Sequence, residues 1–541
     1  MKGLKFHFVF LFFVVFTVVL LGRLFFIQIV QGDFYKALAE GLHFFPGETS
    51  FQRGEIFFKN GEPLAINKKW QLAWAHPLKI KEKEEFARKV SEILEMPEGL
   101  ILEKIRQEDA LYVMLKNKLT DKELENLRNL NLEGLNIDEI EGRYYPQEFL
   151  ASKVVGFFGG EETGQYGIEQ SYNEVLTGGN NFDVADLVLT LDYKIQFMAE
   201  KLLTEAQENL GIESGQIIVI EPYSGKILAI ANFPNFNPNQ YQEFATQNNL
   251  AIFQNDSTQK IFEPGSVLKS ITFAAALNED KITQETTYVD KGVVNIGGWP
   301  IYNYAQRIYD LTSMSEVLEK SINTGAVFVE QKLGHTLFLK YLEKFGFFEK
   351  TGIDLEETFS ENKEFKKGYE VNFATASFGQ GIEMTPIQLI RAYCAIANGG
   401  KLIHPFIVEK ILKEEKVIEI EPEISSVQII SQKTSRQLTA MLVNVVEEGF
   451  ARTAKIPGYY IAGKTGTALI PWSSLGKKES GYSEETWQSF IGWFPAFNPK
   501  VLILVKLDRP ETKTAEYSAV PIFNKLAQYL INYQQIPPDY E

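Results

Sequence analysis

Cysteine is all but missing from this chain of 541 residues, where Cys394 stands alone. That excludes an intramolecular disulfide and any cysteine-rich metal site. Histidine is scarce too, with five copies at His7, His43, His76, His335 and His404. None of them forms an H-E-x-x-H pair, so the zinc-protease pattern is missing. There is no internal repeat and no low-complexity linker. Positive charge is in deficit: 54 Lys and Arg against 70 Asp and Glu leave a net charge of −16. A nucleic-acid partner needs a basic face for its phosphates, so that class is excluded. What is present is apolar and aromatic, at 45% and 13% of residues, which excludes a disordered chain. The length allows about three or four domains with sizeable cores.

The charge is unevenly placed. Residues 1–30 hold no Asp or Glu and only Lys2, Lys5 and Arg23, so the remainder carries −19. Phe6 to Gly22 is an apolar run interrupted by His7 and Thr17 alone. Its helical length of roughly 26 Å approaches a membrane span. Leu24 to Val30 extends it if Arg23 snorkels to the headgroups. Ala37-Leu38-Ala39, the nearest small-x-small cleavage site, lies well beyond the run. An uncleaved transmembrane signal anchor over 6–30 is expected. Lys2 and Lys5 put residues 1–5 in the cytoplasm and the acidic body outside it.

Helical spacing is expected over Lys83–Leu94 and Asp121–Leu130, inside a mixed α/β region of 31–185. Pro46 to Leu64 reads as short strands and turns. Gly178-Gly179-Asn180-Asn181 is the best turn signal before a second body over 186–541. There a helix is expected over Leu191–Asn209, then a hairpin of Gln216–Glu221 and Lys226–Ala231. Helices are expected over Val267–Leu277, Ser315–Leu333 and Pro386–Ala397. Ser489–Phe494 and Val501–Leu507 are β-rich. Strands at both ends with helices between imply an α+β domain with an antiparallel sheet. The aromatic-rich stretch Ala468–Trp487 is expected to be a loop beside the active cleft.

Three short patterns carry chemistry. Glu263-Pro264-Gly265-Ser266-Val267-Leu268-Lys269 is a turn running into an apolar helix. Ser266 falls in the helix's first turn, where free N–H groups favour developing negative charge. Lys269 shares its face and can take the Ser proton if it is neutral when needed. Ser321-Ile322-Asn323 is an S-x-N. Gly463-Lys464-Thr465-Gly466-Thr467 is a K-T-G whose glycines suggest that a ligand or another backbone comes close. Each pattern recurs: S-x-x-K at Ser257, Ser360 and Ser474, S-x-N at Ser171 and Ser360, K-T-G at Lys350. Taken singly, each reads first as a surface pair, a cap or a turn. Gly458 to Thr465 also fits the phosphate-loop pattern, but strand-like residues between its glycines and Gly466 and Pro471 after it oppose that reading.

Order and context separate the first copies from the rest. S-x-x-K, S-x-N and K-T-G follow one another at separations of 55 and 143 residues. That ordered set is the known signature of penicillin-binding proteins and class A β-lactamases, and it is met here as a match to a known pattern. Over nearly its whole length the chain resembles a class B penicillin-binding protein, a peptidoglycan D,D-transpeptidase. Arg53-Gly54-Glu55-Ile56, Asn60-Gly61 and Leu64-Ala65 resemble the start of the family's pedestal. Phe58-Lys59 stands where Asp-Arg is usual. Arg143-Tyr144-Tyr145-Pro146 and Gly164 to Glu169 resemble its second half. Ser377-Phe378-Gly379-Gln380-Gly381 with Thr385-Pro386 is typical of the transpeptidase domain. Tyr112 to Pro146 resembles division-type members slightly more than elongation-type ones.

The resemblance implies a non-catalytic, dimerisation-type pedestal over 31–185. It implies a transpeptidase domain over 186–541 with a five-stranded antiparallel sheet flanked by helices. It implies that Ser266 is acylated by a D-Ala–D-Ala stem peptide, with Lys269 as base. Ser321 would pass a proton to the leaving amine, and Asn323 would bond substrate or Lys269. Lys464 would supply positive potential, while Thr465, Gly466 and Thr467 would line the carboxylate site. The N–H groups of Ser266 and Thr467 would form the oxyanion hole. No metal or cofactor is implied. β-Lactams, the cytoplasmic membrane and a polytopic membrane glycosyltransferase are the implied partners. The chain's own glycosyltransferase activity is not indicated, since Glu108-Asp109 is followed by Tyr112 and Leu115 at the Phe and His places of that pattern. Three other classes share the motifs: a β-lactam sensor, a divisome scaffold, and an acyl-enzyme hydrolase such as a β-lactamase or D,D-carboxypeptidase. The sensor needs a cytoplasmic output domain larger than the tail expected here. Histidines are read as structural, and Cys394 as a buried small residue.

Overall fold

The computed structural model describes residues 52–106, 110–159, 163–179, 183–246, 249–414 and 416–540. The expected membrane anchor, Ala37-Leu38-Ala39, Glu108-Asp109 and Asn180-Asn181 lie outside the described residues. Among the described residues no helix is long and apolar enough to cross a membrane. The chain divides into two compact units. One contains Asn67–Tyr144, the other Arg53–Ile66 with Tyr145–Glu541.

In the smaller unit, helices Lys83–Leu94 and Asp121–Leu130 begin and end where the periodicity places them. The first buries Phe86, Ala87, Val90 and Leu94, a stripe at helical spacing. The second starts at a capping box, in which Thr120 and Glu123 satisfy each other's backbone N–H. Both lie against a core containing Ala73, Ala75, Ile101 and Leu115.

The larger unit holds a five-stranded antiparallel sheet. Its strands are β1 (Ser214–Ile220), β2 (Ile227–Phe233), β3 (Ala462–Pro471), β4 (Tyr482–Phe494) and β5 (Val501–Asp508). Their order is β3-β4-β5-β1-β2, so β3 is an edge strand. Both faces are covered, which is why β1 and β5 are buried at every residue. Alternation along β4 assigns the covers. Phe490 and Phe494 meet Phe523 of the carboxyl-terminal helix Ala519–Tyr533. Trp493, of opposite parity, meets Tyr393 of the helix Pro386–Ala397.

Helix α1 (Lys269–Asn278) continues from a 3-10 turn, Gly265–Leu268, and is buried from Lys269 to Leu277. Its polar members are satisfied inside: Tyr393 donates to Ser270 Oγ at 2.9 Å, and Thr272 donates to the Ser377 carbonyl at 2.8 Å. The single helix expected over Ser315–Leu333 is two, Met314–Glu319 and α2 (Asn323–Leu333). The chain breaks at Lys320–Ile322, with Ser321 at φ 52°, so apolar spacing continues across a break that spacing cannot register. The loop expected over Ala468–Trp487 is also different. Both ends extend β3 and β4 as a long hairpin, with Leu469 opposite Thr486 and Pro471 opposite Tyr482. Only residues 472–481 form the connection. Pro471 and the Trp472-Ser473-Ser474 run hide that extension in the sequence.

Candidate active site

Three elements meet at one cleft. The 3-10 turn brings Ser266, the break before α2 brings Ser321, and edge strand β3 brings Lys464. Lys269, one turn beyond Ser266, is fully buried. Its Nζ lies 3.1 Å from Ser266 Oγ, 2.8 Å from Asn323 Oδ1, and 2.6 and 3.2 Å from the Ser321 carbonyl oxygen and Oγ. Lys464 is also fully buried and reaches Ser321 Oγ at 3.0 Å. The Ser321 hydroxyl therefore bridges two lysines. Positive φ at Ser321 lets one residue offer both its carbonyl and its side chain to Lys269.

Burial sets the protonation of both lysines. Desolvation holds the Lys269 amine well below the ordinary lysine range, and the neighbouring Lys464 lowers it further. Desolvation alone brings Lys464 down to about 7. Burial thus favours the neutral form of the Lys269 amine, the form that can accept a proton.

Thr465 is nearly buried, with its hydroxyl 3.3 Å from Lys464 Nζ. Thr467 borders the open cleft, and its Oγ1 accepts from Ala515 N at 3.2 Å. Ser266, Ser321, Asn323, Thr465 and Thr467 all line this cleft of about 1390 Å³. The K-T-G glycine has a visible reason. A Cβ on Gly466 would stand 2.8 Å from the Pro264 carbonyl oxygen and 2.5 Å from Ser489 Oγ. The close partner is the backbone of the nucleophile turn. Gly379 serves the turn from the other side: its carbonyl accepts from Gly265 N at 3.0 Å, and a Cβ there would strike the Gly265 carbonyl. That contact accounts for Ser377-Phe378-Gly379.

The duplicate motifs other than that of Ser474, which is exposed, have structural occupations. Ser257 donates to Asn232 Oδ1 at 3.0 Å, while Lys260 pairs with Asp508 at 2.7 Å. Ser360 donates to Glu383 at 2.9 Å. Asn173, of the Ser171 copy, accepts from Arg53 at 2.9 Å. Thr351 of the second K-T-G is buried on Glu357. Lys464 of the phosphate-loop pattern sits within β3, which runs on as strand to Pro471 where a phosphate loop would turn into a helix. His335 pairs with Glu330 and stacks on Phe373, neither it nor His404 lines the cleft, and Cys394 is buried and free. Ile322 points into the core at 1% exposure, which explains an apolar residue between Ser321 and Asn323.

Two features of the site escape sequence reading. Glu263, 5% exposed, accepts from Tyr482 Oη at 3.0 and 3.2 Å. Tyr482 belongs to the far end of the β3–β4 hairpin, so this bond ties the K-T-G hairpin to the segment entering the nucleophile turn. Burial raises Glu263 to about 7, although bonds from Gly381 and Tyr482 oppose the rise. The second is Tyr302, whose carbonyl accepts from Asn323 Nδ2 at 3.1 Å. Neither pairing has a local sequence pattern.

Comparison with known proteins bears on the family and the fold. Residues 215–528 match the penicillin binding protein transpeptidase domain, and residues 48–187 the penicillin-binding protein dimerisation domain. The chain is 30% identical to Stage V sporulation protein D of Bacillus subtilis, over 93% of this chain and 81% of that protein. It is 27% identical to a peptidoglycan D,D-transpeptidase FtsI homolog of Mesostigma viride, over 96% and 94% of the two chains. Among solved structures, penicillin binding protein 2X of Streptococcus thermophilus aligns with a TM-score of 0.72 at 21% identity, over 89% of this chain and 79% of that one. At that identity the likeness carries the fold.

Proposed function

This chain belongs to the class B penicillin-binding proteins, and from that premise we propose a serine D,D-transpeptidase that acts through Ser266. Its substrate class is the peptidoglycan stem peptide, and β-lactams are its covalent inhibitors. The observation that carries the residue assignment is the convergence of Lys269, Ser321, Asn323 and Lys464 on one serine.

Neutral Lys269 has two N–H groups and one lone pair. Ser321 O and Asn323 Oδ1 take the N–H groups, which leaves the lone pair for the Ser266 hydroxyl proton. Ser266 Oγ then attacks the carbonyl between the two terminal D-Ala residues. The oxyanion forms between the N–H groups of Ser266 and Thr467, a donor pair of the kind worth about 3 kcal/mol per donor. The proton moves from Lys269 through Ser321 Oγ to the departing amine, and D-Ala leaves. Lys464, on the far side of Ser321, keeps the relay polarised, and Thr465 and Thr467 hold the terminal carboxylate. An amine of a second stem attacks the acyl-enzyme and the reverse relay frees Ser266, leaving a cross-link.

We infer a membrane anchor over 6–30 with the amino terminus in the cytoplasm, followed by a non-catalytic pedestal over 31–185. Lys2, Lys5 and the apolar run support that orientation. A polytopic glycosyltransferase in the same membrane would supply the nascent strand.

Fluorescent penicillin tests the assignment. Wild-type chain should label covalently, and Ser266→Ala should not label while keeping the wild-type melting profile. Unchanged label on Ser266→Ala would refute Ser266 as nucleophile. Rapid loss of label from wild type would favour a hydrolase.

A further inference from the structure

Between α1 and the S-x-N break the chain leaves the core as an arm of two antiparallel ribbons. Thr287–Asp290 pairs with Asp310–Ser313, and Val293–Ile296 pairs with Trp299–Tyr302. One face of the second ribbon is buried, where Ile296 and Ile301 join Ala326, Val327 and Phe378. The other face is bare. Val293 lies opposite Tyr302 and Asn295 opposite Pro300, all four exposed. Tyr302 is 47% and Tyr304 56% exposed, high values for side chains of that size.

The arm is not loosely attached. Asn323 Nδ2 donates to the Tyr302 carbonyl at 3.1 Å, and Thr324 N donates to Asn303 Oδ1 at 3.0 Å. Thr324 Oγ1 donates to Asp290 at 2.6 Å. The bare face is therefore held in fixed register with Asn323, which contacts Lys269. It also runs into the cleft without a break, since Tyr302, Tyr304 and Arg307 line it together with Ser266.

That continuity names the occupant. A stem peptide is a branch of a glycan strand, so whatever seats a stem at Ser266 must lead its strand out over a wall of the cleft. Outside the arm the cleft lining is rich in charge, with Glu484, Glu485, Arg509, Glu511 and Lys513. The arm offers aromatic and proline faces edged by the amides of Asn295 and Gln306. A pyranose ring has the same division, an apolar C–H face and a rim of hydroxyl and acetamido groups. Aromatic residues suit such ligands because one end is apolar and the other wet. We propose that the bare face of this arm binds the sugar backbone of the strand that carries the donor stem. The proposal rests on the transpeptidase reading and extends its substrate from the peptide to the glycan.

The probe is peptide-free glycan strands, stripped by an amidase, labelled, and titrated against the full chain by fluorescence anisotropy. Penicilloylation is measured on the same samples. Asn295→Ala/Pro300→Ser changes the bare face without touching a residue that lines the cleft. It should weaken strand binding about tenfold, roughly the loss of one good contact, and leave the penicilloylation rate within about twofold. Tyr304→Ala should weaken strand binding at least as much. Strands that do not bind wild type, or that bind the double variant equally well, overturn the proposal. If strands do not bind and Val289→Ser/Leu311→Ser on the first ribbon disperses self-association, the arm is a protein interface and the proposal falls. Strand binding by a chain that takes no penicillin would refute the transpeptidase reading and uphold the glycan site.

Discussion

Gly466→Ala isolates the contact between the K-T-G strand and the nucleophile turn. The added methyl would meet the Pro264 carbonyl oxygen at 2.8 Å, Ser489 Oγ at 2.5 Å and Val267 Cγ1 at 3.1 Å. Comfortable nonbonded separations begin near about 3.5 Å. Ser489 Oγ can rotate away. The Pro264 oxygen is backbone, and its neighbour Gly265 is held by Gly379, so the strand must retreat by roughly 0.7 Å instead. Misplacement of about 1 Å can cost a factor of about 100 in rate. Penicilloylation should therefore fall by about 10- to 100-fold, while overpacking costs about 1–3 kcal/mol of stability. Stopped-flow acylation with a chromogenic cephalosporin reads the first quantity, and urea unfolding the second. Adding Ser489→Ala separates the two obstacles. It should recover some stability and little of the rate, because the carbonyl remains. A Gly466→Ala chain that acylates at the wild-type rate, or a double variant fully restored, would refute the claim that this glycine sets the spacing.

Three further perturbations have defined outcomes. Lys464→Met removes the cation that adds to the desolvation of Lys269, so the Lys269 amine rises. The acid limb of the pH–rate profile for acylation should move to higher pH, and an unmoved limb would separate the two lysines. Glu263 is raised from 4.5 to about 7 in the fold. Its contribution to stability is full below pH 4.5 and lost as pH climbs through 7, on the order of 3 kcal/mol in all. Glu263→Gln should lack that decline when urea unfolding is compared at pH 5 and pH 8, and parallel losses would refute it. Arg53 and Glu169 form a buried pair at 2.5 Å, 1% and 0% exposed. Arg53→Met strands the carboxylate and should cost about 3–5 kcal/mol by urea unfolding, whereas a neutral effect would show that Tyr145 Oη, 3.1 Å from Glu169 Oε1, suffices.

What could be read from the sequence was whatever is encoded within one turn or one strand. Lys83–Leu94 and Pro386–Ala397 carry their own apolar spacing and end signals, and both fall where expected. Ser266 and Lys269 are three residues apart on one helical turn, so their contact is local. Their meeting with Ser321 and Lys464 is not local, and only recognition of the ordered motifs anticipated it. The break at Ser321 was invisible because Val317, Leu318 and Ile322 continue an apolar pattern through it. The Glu263–Tyr482 tie spans 219 residues and joins two side chains that look ordinary in their own segments. The ribbons of the arm were missed for a related reason: four-residue strands around Gly297-Gly298 are too short for alternation to register.

Enclosure of α1 has a consequence for how the enzyme comes apart. Amide protons exchange with solvent when a segment opens, and a segment opens cheaply only where few buried contacts are lost. Every residue from Lys269 to Leu277 is buried, so α1 can open only with the domain around it. The base, Lys269, therefore belongs to the last region to exchange, and the turn that carries Ser266 leads directly into it. The connection at 472–481, exposed along most of its length, belongs to the first. Opening of the cleft should therefore begin in its walls and reach α1 last. Loss of acylating power on heating should follow global unfolding instead of preceding it.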